Sequence, residues 1–224
     1  MSIIHRTTVT PTKLEHLTSW LPQQPWYLGS ADQQPVLSKS GGFRLDDPEG
    51  EVGIEFLVAT DVSGDLPVSY HVPLSYRGAP LEGAEQGLIG TSAHGVLGPR
   101  WIYDGTHDPV LVAQLLALLQ GRAVPQAQSL NDTPDPTVTV HFSGTSIPAG
   151  IVPSTVTHGP DGSRLTVAPA GSAPALHPAV HVTRVLEPGG ASPAHASGHV
   201  TAGWRSPDGG EHRGVFAALH VTGS

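Results

Sequence analysis

The chain has 224 residues and a formal net charge of −8, and its length suffices for one large domain or two small ones. This acidic balance argues against a nucleic-acid partner, which needs a basic face, and the lack of cysteine excludes disulfides and thiolate metal sites. There is no signal-peptide core and no window of about 20 apolar residues, which predicts a soluble cytoplasmic protein with no membrane partner.

A first helix is predicted from the Thr10-Pro11 step to Pro22. Thr10 is expected to be the N-cap, and Pro11 suits the first helical position because its missing N–H costs nothing there. The leucines at positions 14, 17 and 21 recur at intervals of three and four residues. This spacing gives the helix one apolar face.

Residues 53–60 and 68–76 are predicted to form a β-hairpin. In the second run, apolar and polar residues alternate, which is typical of a strand with one face in the core and one face in solvent. Pro73 lacks a backbone N–H, so it indicates an edge strand or a bulge at that point.

The most apolar helix of the sequence is predicted at residues 109–120, after a strand at 100–103 and a turn at 104–105. Asp108 suits the N-cap, Pro109 the first position and Gly121 a left-handed C-terminal residue. Valine and leucine cover most of its circumference, which requires burial on most sides. At about 18 Å the helix is too short to cross a bilayer. We therefore expect a curved antiparallel sheet wrapped around it.

Beyond residue 121 the sequence predicts a connector at 122–136 and then short β runs. These runs are 137–142, 164–168, 180–186, 199–205 and 214–221, and the last two flank a tight-turn sequence at 206–210 that predicts a hairpin. Two helices and eight to ten strands indicate an α+β fold. We expect a first domain at 1–121 and a β-rich C-terminal sub-domain at 137–224, which either extends the first sheet or forms a second one.

Four segments resemble a known family. The strings WLPQQPWYLG (20–29), FRL (43–45), YHVPLSYR (70–77) and RWIYDGTHDP (100–109) are similar to the N-terminal cap domain of actinobacterial maltokinases, and more closely to stand-alone cap-like proteins of the same bacteria. The similarity covers roughly residues 10–140. It implies a cystatin-like cap, in which a curved antiparallel sheet surrounds a helix.

The resemblance also has implications for function. In the kinases this cap sits on an aminoglycoside-kinase-like catalytic domain that phosphorylates maltose with ATP, in the route from trehalose to glycogen. Stand-alone members are linked to 1,4-α-glucan branching. The sequence departs from the family at Pro25, Tyr27 and Ser30, where the cap usually has Arg, Phe and Lys, so contacts made by those basic residues are absent.

No catalytic, cofactor-binding or metal-ligating residues are predicted. The sequence has neither the His-Gly-Asp loop with its downstream Asn nor a G-x-x-x-x-G-K-[ST] string that would bind a nucleotide. His107-Asp108 is interpreted as a solvent histidine beside a capping residue. His195 and His199 have no third ligand at a suitable spacing. The acidic run at 46–51 is interpreted as a solvated loop, and the Ser/Thr-Gly strings at 90–95 and 143–146 as turns.

Trp20, Trp26 and Tyr27 are the candidate interaction surface. Aromatic side chains stack on sugars and anchor protein interfaces, and they also close the ends of hydrophobic cores. Together with Trp101 and Tyr103, the three residues suit either a binding surface or the closed end of a hydrophobic core. Of this set, Trp26 and Tyr27 are expected to be the most exposed.

Three functions remain open at this point. The first is a non-enzymatic cap or interaction module that self-associates or binds a protein partner, accessory to α-glucan or trehalose metabolism. The second is a module that binds α-glucans or maltosaccharides through Trp26 and Tyr27. The third is an enzyme linked to 1,4-α-glucan branching with an unrecognised site, for which two carboxylates about 5–10 Å apart in a cleft are needed.

Overall fold

The computed structural model describes residues 9–30, 32–128, 133–143, 151–169, 176–190 and 193–223. Within these residues neither helix has the length and apolar character required to cross a membrane. The elements, in chain order, are β1 (Val9–Thr10), α1 (Lys13–Trp20), β2 (Leu37–Leu45), β3 (Gly53–Asp61), β4 (Val68–Arg77), β5 (Leu88–His94), β6 (Gly98–Asp104), α2 (Pro109–Leu119), β7 (Gln126–Ala127), β8 (Thr139–Phe142), β9 (Ile151–Gly159), β10 (Gly162–Pro169), β11 (Leu176–Val182), β12 (Gly198–Arg205) and β13 (Glu211–Gly223).

The described strands form one antiparallel sheet of thirteen strands. Its main path runs β1-β5-β6-β4-β3-β2-β12-β13-β11-β10-β9, while β7 pairs with β2 and β8 with β12. β12 joins β2 through the pairing of Trp204 with Gly41, so the C-terminal strands extend the first sheet. The α+β class is confirmed, whereas the cystatin-like comparison and the domain boundary at 122–136 stay predictions.

Helix α2 is buried against this sheet, as its composition predicted. Asp108 caps it by accepting a hydrogen bond from the Val110 N–H, and Gly121 follows it with φ of +69°, in the left-handed region that favours glycine. Its buried residues belong to one hydrophobic cluster with residues of β2 and β3 and of β10 to β13. Six of its residues are buried, namely Leu111, Val112, Leu115, Leu116, Leu118 and Leu119.

Strand β4 is covered on both faces, which corrects the prediction that one face meets solvent. It pairs in register with β3, and residues 70–75 are all buried. Tyr70, Val72 and Leu74 face a core cluster built around α1, while the His71 ring lies 4.5 Å from the Phe216 ring of β13. The C-terminal strands therefore cover the face that the alternating pattern assigned to water.

Pro73 does not mark an edge strand. Next to it, β4 pairs with β6 from Leu74 onward, and Tyr70 forms an isolated bridge with Val185. The proline therefore occupies the gap where this side of β4 passes from one neighbour to the other. A residue without an N–H fits there because no ladder partner faces it.

Helix α1 begins two residues later than predicted. Its N-cap is Thr12, whose hydroxyl accepts from the Glu15 N–H while the Glu15 carboxylate accepts from the Thr12 N–H. This reciprocal arrangement is a capping box, and it satisfies two N–H groups where the Thr10-Pro11 pair would satisfy one. The T-x-x-E spacing was available in the sequence as a start signal.

Candidate functional site

Trp26, expected to be exposed, is fully buried. Its ring packs edge-on against Trp20 at 5.7 Å and tilts against Tyr70 at 5.9 Å. The guanidinium carbon of Arg184 lies 5.1 Å from the ring centroid, within the range of a cation–π contact. Trp26 is therefore a core residue between α1 and β4, where it offers no surface for a ligand.

Tyr27 is partly buried and its hydroxyl is engaged. It donates to Asp61 Oδ2 at 3.0 Å, and its ring lies 5.5 Å from the Tyr70 ring. Burial and the adjacent Asp61 carboxylate raise the pKa of Tyr27. Asp61 itself accepts from the Val36 and Ser63 N–H groups, so Asp61 anchors both Tyr27 and the residue before β2 to the end of β3.

Trp20 is the member of the predicted trio that borders a groove. The groove has a volume of about 480 Å³ and lies between α1 and the beginning of β5. The His16 ring on its wall lies 3.0 Å from Ser92 Oγ, which donates in turn to the Pro11 carbonyl. One indole and several polar groups face this groove. Its lining residues are Pro11, Glu15, His16, Ser19, Trp20, Gln23, Leu88 and Ile89.

A second groove of about 620 Å³ follows the seam between β2 and β12. It contains two carboxylates, which the enzyme hypothesis requires. However, Asp135 accepts from the Thr137 N–H and hydroxyl, and Glu211 forms an exposed ion pair with Arg205. Both carboxylates thus have structural partners in this arrangement.

The buried carboxylate of Glu55 on β3 is paired as well. Glu55 accepts from Lys13, Tyr76 and Gln128 at 2.5–2.7 Å. Burial alone would raise the pKa of Glu55, but the Lys13 ammonium holds it below its usual value. These contacts tie α1 to the sheet, which is a structural role.

Asp108 accepts two hydrogen bonds from Arg77, at 2.6 and 2.7 Å, in addition to capping α2. The capping interpretation of Asp108 is confirmed, whereas its neighbour His107 is not a solvent histidine. His107 is partly buried at the end of a 3₁₀ turn, Gly105–His107, and its Nε2 lies 3.2 Å from His158 Nε2. Asp108 therefore binds Arg77, whereas the adjacent His107 contacts His158.

The junction cluster, defined as Asp104, His107, His158, Ser163 and Arg184, joins the turn before α2 to the β9–β10 hairpin and the segment after β11. Arg184 donates from Nε to Ser163 Oγ at 2.7 Å and from a terminal nitrogen to Asp104 Oδ2 at 2.6 Å. His158 Nδ1 lies 2.7 Å from Ser163 Oγ. Five polar side chains from distant segments therefore meet in one largely buried network.

Burial sets the protonation states in this cluster. It lowers the pKa of both His107 and His158, so both rings are neutral at neutral pH. Burial alone would raise the pKa of Asp104, but the Arg184 guanidinium beside it holds that pKa below its usual value. The cluster at neutral pH holds one carboxylate, one guanidinium and two neutral imidazoles.

The remaining predicted positions lie apart from this cluster. His195 is in an exposed turn with φ of +61°, and His199 lies against His141 of β8 with ring centroids 5.3 Å apart. The Ser/Thr-Gly string at 90–95 is mostly strand β5. In the string at 143–146, residues 144–146 lie outside the described part of the chain.

The junction cluster has no signal in the sequence as a group, because its members are far apart in the chain. His107 and His158 are separated by 51 positions, and Asp104 and Arg184 by 80. The one local signal was the Asp104-x-x-His107 spacing beside a turn, which by itself is unspecific.

Comparison with known families matches one part of the chain. Residues 20–108 match the model of the maltokinase N-terminal cap domain, as the resemblance implied. The match begins at the groove-lining Trp20 and ends at the capping Asp108. No curated protein matches the chain.

Proposed function

We propose that this chain, whose residues 20–108 match the model of the maltokinase N-terminal cap domain, is a non-enzymatic cap and interaction module accessory to α-glucan or trehalose metabolism. The partner would be an enzyme of that metabolism, or a second copy of the chain. The match to the cap model supports the assignment as a cap module. The sequence contains none of the phosphotransfer motifs that the kinases need.

An exposed apolar end of the cap carries the proposal of protein contact. The apolar end consists of Leu28, Val36, Val62 and Leu66, of which Leu66 is 78% and Leu28 64% exposed. The Val62 N–H donates to the Val36 carbonyl, and the Leu28 N–H donates to the Tyr70 hydroxyl near the beginning of β4. These contacts hold Leu28, Val36 and Val62 beside the β3–β4 hairpin, and Leu66 lies in the turn of the same hairpin. Grouped exposed apolar side chains are typical of interaction sites.

The test is affinity capture from a lysate of the source organism, followed by identification of the captured proteins. Wild type should capture an enzyme of α-glucan or trehalose metabolism, or should self-associate in light scattering. Leu28→Asp combined with Leu66→Asp should lower the association at least tenfold, which corresponds to about 1.4 kcal/mol. Val96→Asp is the matched control, because Val96 is similarly exposed at 63% but lies in the β5–β6 turn.

Two outcomes contradict this proposal. One is a monomeric wild-type protein that repeatedly captures no such enzyme. The other is capture that the Leu28 and Leu66 substitutions leave unchanged, since the apolar end would then not be the contact.

The second candidate is binding of maltosaccharides in the groove beside Trp20. An indole face next to Glu15, His16 and Gln23 combines stacking area with hydrogen-bonding groups, which is what sugar sites use. Trp26 and Tyr27 are not part of this sugar site, because Trp26 is buried and the Tyr27 hydroxyl is bonded to Asp61.

Titration with maltose, maltoheptaose and glycogen, read by tryptophan fluorescence and by calorimetry, tests this candidate. Wild type should show saturable binding, and Trp20→Ala should abolish it while Trp204→Phe, in the other groove, should retain it. A flat response from wild type in both measurements removes the candidate.

A further inference from the structure

We propose that Asp104, His107 and His158 form a binding site for a divalent first-row transition metal ion, with Zn²⁺ as the natural probe. Each residue offers one ligand atom, and these three atoms lie within 4.8 Å of one another. The site lies outside the apolar end and the Trp20 groove, so it is independent of the function proposed above.

The distance between the imidazoles fits tetrahedral coordination. The two Nε2 atoms lie 3.2 Å apart. If an ion bound both atoms with Zn–N bonds of about 2.0–2.1 Å, the N–Zn–N angle would be about 100–106°, near the tetrahedral value. A direct hydrogen bond between two neutral rings spans a similar distance, so the experiment must separate these two states.

Each ligand is held in place by a neighbour that does not itself bind the ion. His158 Nδ1 can donate to Ser163 Oγ at 2.7 Å, which leaves its Nε2 lone pair for the metal. Gly87 gives the His107 ring its space, because a Cβ at Gly87 would lie 2.7–2.9 Å from His107 side-chain atoms. Ligands fixed in this way lose little conformational entropy on binding.

Asp104 retains capacity for one more bond. A carboxylate offers about four lone-pair sites, and Asp104 accepts three hydrogen bonds, two from Thr106 and one from Arg184. The Arg184 guanidinium beside Asp104 repels a second cation and therefore weakens binding of an ion at this site. Partial exposure of both histidines leaves room for a water as the fourth ligand.

A bound ion would connect two parts of the molecule. Asp104 and His107 belong to the turn before α2, whereas His158 belongs to the end of β9. The ion would therefore fasten the β9–β10 hairpin onto the cap. Binding to the folded state alone would also raise the stability of the chain.

Titration of the chelator-treated chain with Co²⁺ tests the proposal. Tetrahedral Co²⁺ gives visible d–d absorption, which a hydrogen-bonded histidine pair does not. Wild type should bind one ion with this spectrum, and Zn²⁺ should displace it. His107→Ala and His158→Ala should each abolish the spectrum, and Ser163→Ala should lower the Zn²⁺ affinity by about 10–100-fold through loss of ring orientation.

The matched control is the other histidine pair, His141 and His199, which lie with ring centroids 5.3 Å apart. Double substitution of that pair with alanine should leave the Co²⁺ spectrum unchanged. Circular dichroism establishes that each variant folds. Melting with and without Zn²⁺ should show a stabilisation that the His107 and His158 variants lose and the His141 and His199 double variant retains.

Two results would overturn the site. Wild type in excess Co²⁺ could show no d–d absorption and no shift in melting temperature, which would identify the pair as a metal-free hydrogen bond. Alternatively, one-to-one binding could survive in folded variants that lack both His107 and His158, which would place the ion elsewhere. Neither result bears on the capture experiment, so the two proposals fail separately.

Discussion

Substitution of Arg184 by methionine removes the cation that joins the cap to the C-terminal strands. Arg184 is fully buried and its Asp104 partner is 2% exposed at the side chain. The guanidinium also donates to Ser163 and lies over the Trp26 ring. Methionine fills a similar volume without the charge, so the variant leaves the Asp104 carboxylate buried and unpaired.

We expect this variant to lose about 3–5 kcal/mol of unfolding free energy, the usual cost of removing one partner from a buried ion pair. For a chain of this size each kcal/mol lowers the melting temperature by about 2–4 °C. The expected fall is therefore about 6–20 °C at pH 7. Urea titration followed by far-ultraviolet circular dichroism measures the free energy without relying on the local environment of Trp26.

The sign of the pH dependence provides a second test. Because the folded-state pKa of Asp104 lies below its usual value, the pair stabilises wild type above the unfolded pKa, and this contribution is lost as pH falls through the folded pKa. Without Arg184, burial raises the pKa of Asp104 instead. The deficit of the variant should therefore shrink on mild acidification.

Two further variants test whether the cost comes from the buried charge of Asp104. Arg205→Met breaks an ion pair whose side chains are 72% and 73% exposed, and it should cost no more than about 1 kcal/mol. Arg184→Met combined with Asp104→Asn should be more stable than Arg184→Met alone, because the unpaired charge is gone while Thr106 keeps an acceptor. A cost for Arg184→Met within about 1 kcal/mol of that of Arg205→Met would refute the account of the junction.

The remaining predictions concern the two helices and one buried histidine. Leu115→Ala should cost about 2–5 kcal/mol in urea titration, since Leu115 is buried on α2, whereas Ala113→Ser on the exposed stripe should cost under about 1 kcal/mol; equal costs would contradict the burial of α2. Thr12→Ala should cost about 1 kcal/mol by removing the N-cap of α1, and Thr12→Ser should restore it. Burial lowers the pKa of His71 to about 3 from 6.5, so the unfolded chain binds one more proton between these values. Stability should then fall by about 1.4 kcal/mol per pH unit as pH drops below 6.5, and a folded His71→Phe variant with an unchanged slope would contradict that origin.

The elements with strong local signals could be predicted from the sequence. Helix α2 was predicted within one residue of its observed end, because Asp108, Pro109 and Gly121 act on the backbone next to them. The β3–β4 hairpin and the β12–β13 hairpin were predicted for the same reason. Strand β9 was missed, since its run of threonine, valine and serine carries no clear alternation.

The candidate site was harder to predict. The segment around Trp26 has Pro25 and Gly29 beside it, which suggested an exposed loop. The structure buries Trp26 because Trp20, Tyr70 and Arg184 pack against it. Composition near a residue says whether the chain turns there, but it does not say what another segment brings to the same place.

By itself, the sequence determined that an apolar helix follows a capped turn and that part of the chain before it is cap-like. These conclusions depend on side chains within a few positions of each other and on strings that match a family over residues 20–108. Only the tertiary structure decided that the polar face of β4 is buried and that two histidines meet at the junction. His71 and Thr183 are 112 positions apart, and His107 and His158 are 51 apart. Such contacts form only when distant strands are assembled into one sheet, so no local pattern encodes them.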